Sequence, residues 1–216
     1  MKVLVFDTET TGLPEEKNAS ILDTFRWPYI VQLSFIYYDS ESKTILKSYD
    51  SIIKLPDEVN ISQESINIHG ITNEIMREKG ISIRKALKEF NEILKKCDIV
   101  VGHNISFDKR VIMVECIRNK ISQYFTKGNN RKPEFCTMKN SKDLCKIKMI
   151  GKNGEEYYKS PKLCELYEFL FNEQPNNLHN SFVDILLTLR CYFAINYNYD
   201  VINDNNIKNL FIHYKI

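Results

Sequence analysis

The apolar positions of this chain fall into two periods, and the period changes at identifiable points. Residues 3–6 (Val-Leu-Val-Phe) are an unbroken apolar run that stops at Asp7-Thr8-Glu9-Thr10-Thr11-Gly12-Leu13-Pro14. A run this short reads as a strand buried on both faces. Residues 29–38, dense in aromatic and β-branched side chains, predict a second strand, 39–43 a hairpin connection and 44–53 an antiparallel return. A short helix is expected at 63–67. Ile83, Ala86, Leu87, Phe90, Ile93 and Leu94 then recur at helical spacing behind a Ser82 cap. A buried strand at 98–102 follows that helix, as in a β-α-β unit. Phe107, Val111, Val114, Ile117 and Ile121 mark the next helix, with Ser106 as its cap. A last strand is expected at 135–137 and a short helix at 138–144. Ser160-Pro161 reads as the start of a helix carrying Leu163, Leu166, Tyr167 and Leu170. Ser181 reads as the cap of one carrying Phe182, Ile185, Leu186, Leu189 and Phe193. Stretches 15–28, 122–134 and 146–160 read as polar loops. Residues 1–196 form one expected domain, and 197–216, with Ile207, Leu210 and Phe211, an extension packed on it.

Composition narrows the class. With 216 residues the chain is long enough for a sizeable core. It has no apolar run of membrane-spanning length and no signal-peptide pattern, so the expected location is intracellular, in cytoplasm, nucleoid or nucleus. The 6 cysteines include no C-x-x-C pair and the 4 histidines stand at no zinc spacing, which predicts reduced core thiols and no structural zinc. The net charge of +2 is unevenly spread: residues 109–162 hold 14 Lys or Arg against 5 Asp or Glu, so the remainder is acidic. That division suggests an acidic site beside a basic face, with Arg131 and Lys132 meeting nucleic-acid phosphates.

The acidic site has its centre at the first strand. Asp7 and Glu9 point to the same side, about 6.6 Å apart along the chain. Two such carboxylates at a buried strand end are costly without a cation, and a hard ion such as Mg²⁺ prefers oxygen ligands. Gly12 and Pro14 turn the chain and leave backbone N–H groups able to meet an anion. Asp108 and Asp184 each fall in the first turn of an expected helix. Taken singly, each is an ordinary first-turn acid favoured by the helix dipole. Taken together, the four carboxylates form an acidic nest suited to two divalent ions that bind a phosphate. His179, in the loop before the last long helix, is placed to accept a proton from water.

Three segments carry a family resemblance: Phe6-Asp7-Thr8-Glu9-Thr10-Thr11-Gly12-Leu13, His103-Asn104-x-x-Phe107-Asp108, and His179-x-x-x-x-Asp184. They resemble the three exonuclease motifs of the DEDDh family, which includes the proofreading subunit of bacterial replicative polymerases and stand-alone 3′→5′ exonucleases. The resemblance covers about residues 1–195, and His69-Gly70-Ile71-Thr72 resembles the family's substrate-contacting segment. It implies an α/β, ribonuclease-H-like fold with a five-stranded mixed sheet flanked by helices. It implies Asp7, Glu9, Asp108 and Asp184 as ligands of two Mg²⁺ ions, with Mn²⁺ as a substitute, and His179 as general base. It implies Thr8, Thr10, Thr11, Gly12, His69, Asn104 and Phe107 as contacts of the terminal nucleotide. The implied reaction is 3′→5′ removal of nucleotides from single strands or frayed ends of DNA, releasing nucleoside 5′-monophosphates. The implied partners are DNA or RNA 3′ ends and a DNA polymerase, with no membrane. Cys136 departs from the pattern, standing where many members carry Asp, and Phe182 and Val183 are bulkier than usual. Three alternatives remain open. An exoribonuclease of the same family would differ by a 2′-hydroxyl contact. A non-catalytic accessory module would lack one of the five site residues. A nuclease cutting internally would not need the Thr-Thr-Gly-Leu turn.

Overall fold

Strand β1 (Lys2–Thr10) runs through the middle of the molecule because both of its faces are apolar as far as Phe6. In this computed structural model, which describes residues 1–216 apart from the side chain of Lys127, β1 pairs antiparallel with β2 (Ile30–Asp39). β2 pairs antiparallel with β3 (Thr44–Lys54), completing the expected meander. After β3 come α1 (Gln63–His69), α2 (Asn73–Lys79), the two-residue strand β4 (Ile81–Ser82) and α3 (Ile83–Lys96). β5 (Ile99–Gly102) then lies parallel to β1, and α4 (Ile105–Arg118) returns across the sheet. A small ladder of β6 (Thr126–Lys127) and β7 (Asn130–Arg131) precedes β8 (Glu134–Cys136), which is parallel to β5. The short helices α5 (Thr137–Asn140) and α6 (Lys142–Cys145) lead into a hairpin of β9 (Lys148–Ile150) and β10 (Glu156–Tyr158). The chain ends with α7 (Leu163–Phe171), α8 (Ser181–Tyr197) and α9 (Asn205–Tyr214). The sheet order is β4-β3-β2-β1-β5-β8.

The sheet is mixed and flanked by helices, as expected, but it has six strands and not five. The additional strand is β4, an edge piece parallel to β3 and too short to show a period-2 pattern.

Strand alternation sorts β1 between two cores. Leu4 and Phe6 face α3 and α4 and join Phe35, Leu87, Phe90 and Val111; Phe6 meets Phe90 edge-on at 5.1 Å. Val3 and Val5 face α8 and join Ile36, Ile185, Leu186 and Leu189, with Ile207 and Phe211 of α9 beyond. Each such buried side chain contributes about 1.5–3 kcal/mol. A third, smaller cluster of Val31, Leu55, Ile61, Ile71 and Met76 holds α1 and α2 against the sheet. Among the described residues no helix is long and apolar enough to cross a membrane.

Several element ends differ from expectation, each for a local reason. The cap of α4 is Asn104 at φ 63°, not Ser106. The cap of α8 is Asn180, whose side chain accepts from the Phe182 and Val183 N–H groups, leaving the Ser181 hydroxyl to meet Ser34. Helix α7 starts at Leu163 and not at Ser160-Pro161, because the Glu165 carboxylate accepts from the Lys162 N–H at 2.7 Å and fixes the first turn there. The expected loop 146–160 holds the β9–β10 hairpin, and the expected loop 122–134 holds the β6–β7 ladder.

Candidate active site

Asp7 and Glu9 leave β1 on the same face as Val3 and Val5, the face that α8 covers. Helix α8 brings Asp184 to that face in its first turn. The three carboxylates converge, each offering an oxygen within 4.8 Å of the others. Asp108 arrives from the opposite side. Helix α4 packs on the Leu4–Phe6 face, where Thr8 also points, and Asp108 Oδ1 accepts from the Thr8 N–H at 3.1 Å and the Thr8 hydroxyl at 2.7 Å. Thr8 therefore orients a carboxylate, and the expected four-carboxylate nest resolves into three convergent groups with a fourth clamped beside them.

Burial is the largest influence on all four and disfavours their charged forms. Asp7 is raised well above the usual carboxylate range, with repulsion from Asp108, Asp184 and Glu9 adding to burial. Glu9 is pushed up to about 9 by burial and by Asp184 and Asp108. Asp184 rises to about 7, with the backbone of His179 partly offsetting burial. Asp108 rises to about 7, with the Thr8 hydrogen bonds working against burial. The buried Oδ1 of Asp184 has no hydrogen-bond partner among the described residues. Hard oxygen donors, mutual repulsion and an unpartnered buried oxygen together fit a divalent cation.

His179 lies in the exposed loop before Asn180, with φ 63°. Its neighbour across the site is His69, at the end of α1, where Gly70 at φ 73° closes the helix in a conformation that side chains disfavour. Nδ1 of His69 accepts from the Ile71 N–H at 3.1 Å. Burial lowers the pKa of His69, partly offset by the Thr10 backbone, and because Nδ1 is an acceptor the ring proton sits on Nε2. That N–H, near the backbone of Thr10, has no well-formed hydrogen bond among the described residues. Beside it opens a cavity of about 380 Å³ lined by Thr8, Glu9, Thr10, Gly12, Leu13 and Phe107 from one side and Ser65, Ile68 and His69 from the other.

The structure places two expected nucleotide contacts elsewhere. Thr11 is occupied within the fold: its hydroxyl accepts from the Tyr29 N–H at 3.0 Å and its N–H donates to the Tyr29 carbonyl at 3.0 Å. Asn104 lines a separate cavity with Lys17, Trp27, Ser106 and Arg110, which shares only Leu13 and Phe107 with the first. Thr10 lines the first cavity, but its hydroxyl donates to the Gly12 carbonyl at 2.6 Å and fixes the turn. Leu13, 81% exposed between the two cavities, was not among the expected contacts, although it closes the first of the three motifs.

A buried polar network behind the carboxylates was also not expected. Across β1 and β2, Asp7 stands opposite Ser34 and Glu9 opposite Gln32. Gln32 accepts from the Ser181 N–H at 3.3 Å, and Ser34 meets the Ser181 hydroxyl at 2.5 Å. Asp50 of β3 accepts from both Gln32 and Ser34 at 2.8 Å. The first residue of α8 is thus tied to the two residues that flank Asp7 and Glu9. The expected basic contact is displaced: Arg131 and Lys132 precede β8, which runs parallel to β5 and β1, so they lie at the end of the sheet opposite the carboxylates. Lys132 donates there to the Cys97 carbonyl at 2.8 Å.

A family model described as Exonuclease, the RNase T model, matches residues 4–192. No curated protein sequence matches the chain. Among solved structures, E. coli Exonuclease I in complex with a dT13 oligonucleotide is similar with a TM-score of 0.67 at 16% identity, over 98% of this chain and 44% of that one. A moderately thermophilic Exonuclease I from Methylocaldum szegediense is similar with a TM-score of 0.66 at 16% identity, over 94% and 42% of the two chains. The zinc-bound E. coli enzyme with single-stranded DNA matches at 0.67 and 17%, over 98% and 43%. The chain spans less than half the length of these proteins, and at such identity the likeness is one of fold. None of these comparisons supports a polymerase partner.

Proposed function

The chain belongs to the RNase T exonuclease family, of DEDDh type and ribonuclease-H-like fold, and from that membership we propose a 3′→5′ exonuclease acting on single-stranded DNA ends. The observation that carries this reading is the convergence of Asp7, Glu9 and Asp184 beside a cavity that His69 and Phe107 enclose. The oligonucleotide complexes of its structural neighbours support DNA as the substrate.

Asp7, Glu9 and Asp184, with Asp108 beside them, would hold two divalent ions, Mg²⁺ in the first place. Such ions, when bound, stabilise charge on the attacking and leaving oxygens of a phosphoryl displacement. The protein's own groups do the rest. The cavity takes the terminal nucleotide, a volume of about 380 Å³ being within the range of small-molecule sites. The neutral His69 donates from Nε2 to it, and the backbone from Thr10 to Gly12 approaches it closely. His179, on an exposed loop outside α8, accepts the proton of the attacking water. The water oxygen bonds to phosphorus and the bond to the upstream 3′-oxygen breaks. The products are a nucleoside 5′-monophosphate and a strand one residue shorter with a free 3′-hydroxyl.

Incubation with matched DNA and RNA single strands, with products identified by mass spectrometry, tests this. Release of deoxynucleoside 5′-monophosphates from DNA, faster than of ribonucleotides from RNA, is expected. Faster RNA degradation would reassign the substrate, and internal fragments would overturn the exonuclease reading.

A further inference from the structure

Among the described residues, none of the β9–β10 hairpin joins a hydrophobic cluster of the core. All six of its strand residues are exposed, among them Ile150 at 72%, Tyr157 at 50%, Met149 at 44% and Tyr158 at 39%. Tyr157 pairs with Met149 across the ladder and Tyr158 with Lys148, so each face of the hairpin carries one tyrosine. Isolated two-stranded hairpins are marginal in water, and four neighbouring apolar or aromatic side chains left in solvent on one mark an interaction surface. Lys146, Lys148, Lys152 and Lys159 surround them. Lys148 pairs with Glu156, both 66% exposed, and Lys159 with Glu165, whereas Lys146 and Lys152 have no ion-pair partner among the described residues.

The hairpin is also tied to the carboxylate end of the sheet. β8 runs parallel to β1, so Cys136 ends at the carboxylate end of the sheet, and only α5 and α6 separate it from the hairpin. The base of the hairpin closes through the Lys159 N–H to the Ile147 carbonyl at 3.0 Å. Two residues on, the Pro161 carbonyl accepts from His103 Nε2 at 3.1 Å, and His103 directly follows β5 at that same end. Burial lowers His103 to about 4, so it stays neutral and serves as a strut. The hairpin is thereby anchored to the rim of the site.

We propose that the β9–β10 hairpin is a guide for the single strand upstream of the cleaved end, with a tyrosine ring stacking on a base and Lys146 and Lys152 meeting phosphates. This inference rests on the exonuclease reading. Aromatic platforms set among unpaired cations are what sequence-independent single-strand binding uses. A protein strand added to the hairpin's edge is the competing occupant, but it would not call for exposed tyrosines beside free lysines.

The test separates strand binding from the chemistry. Fluorescence anisotropy in EDTA measures the affinity for a labelled oligothymidylate of about 20 nucleotides, long enough to leave the cavity and cross the hairpin. Hydrolysis of thymidine 5′-p-nitrophenyl phosphate with Mg²⁺ measures the site alone. Tyr157→Ala/Tyr158→Ala is expected to bind the oligonucleotide about 5- to 150-fold more weakly, the worth of one stacked base, with ester hydrolysis and thermal midpoint unchanged. Tyr157→Phe/Tyr158→Phe should retain wild-type affinity, and the two single alanine variants should show which face the strand takes. Unchanged affinity in the double alanine variant overturns the proposal, as does an equal loss in the phenylalanine variant. Parallel loss of ester hydrolysis overturns it too, since the hairpin would then act on the site itself. If the wild type fails to hydrolyse the ester, the exonuclease reading fails, and the binding series still decides the hairpin.

Discussion

Glu9 is held at about 9 by burial and by Asp184 and Asp108, and Asp7 is raised well above the usual carboxylate range. Asp108 and Asp184, at about 7, are also raised above the values near 4 that an unfolded chain shows. Without metal the folded state therefore retains protons that the unfolded state has released. Stability from these groups is complete below about pH 4 and is lost as pH rises through 7 and then 9. Thermal midpoints in EDTA are expected to fall from pH 5 to 9, and excess Mg²⁺ to flatten or reverse that fall. A midpoint in EDTA that rises over this range would remove the raised carboxylates from the account. Asp7→Asn takes one charge out of the cluster, so the metal-free variant should melt no lower than wild type while its stabilisation by Mg²⁺ shrinks. His179→Ala should keep Mg²⁺ and DNA binding but lose about 10²–10⁴ in single-turnover rate, the worth of a positioned base; an undiminished rate would assign proton transfer to another group. The Asp-x-Glu pair and the first-turn position of Asp184 were readable because strand and helix periods fix where those side chains point. The clamp of Thr8 on Asp108 was not, because it depends on α4 packing on the other face of β1.

At the scale of elements, the site depends on how α8 is attached to the sheet. Its first residue is held by Gln32 and Ser34, and both are tied to Asp50. Groups of this kind set the orientation of metal-ligating side chains without touching the metal. Gln32→Ala removes one acceptor and one donor from a buried network, so a loss of about 1–3 kcal/mol in stability is expected. Calorimetric titration should show Mg²⁺ affinity lower by about 10–100-fold. Unchanged affinity at lowered stability would make the network a support of the core only. The network follows from cross-strand register, which opposes Asp7 to Ser34 and Glu9 to Gln32, and no local pattern in β2 announces it. Long periodic elements such as α3 and α8 were legible. β4, with two residues, carries too few positions to show a period. Helix α2 is announced only by its cap, the Thr72 hydroxyl accepting from the Ile75 N–H at 3.3 Å. Ser160-Pro161 misled because a proline suited to the first helical turn also suits the extended segment before it.

The whole molecule places the chemistry by topology. β5 is parallel to β1, so α4 starts at the carboxylate end of the sheet, and the bonds of Ser181 to Gln32 and Ser34 hold the start of α8 at the same end on the other face, bringing Asp108 and Asp184 to the end of β1. The same topology sends Arg131 and Lys132 to the other end, which charge counting along the chain had no means to detect. Lysines of one segment thus divide between two ends of the molecule, with those of the β9–β10 hairpin following Cys136 at the end of the carboxylates. The most direct test is digestion of a 5′-end-labelled single strand by wild type and Asp7→Asn, each with Mg²⁺ and with EDTA, with the products resolved by length. Wild type with Mg²⁺ should give a ladder shortening from the 3′ end, the other three reactions should leave the strand intact, and a circular strand should survive in all four. An undiminished ladder in EDTA or with Asp7→Asn, or cleavage of the circle, would contradict a metal-dependent 3′→5′ exonuclease built on these carboxylates.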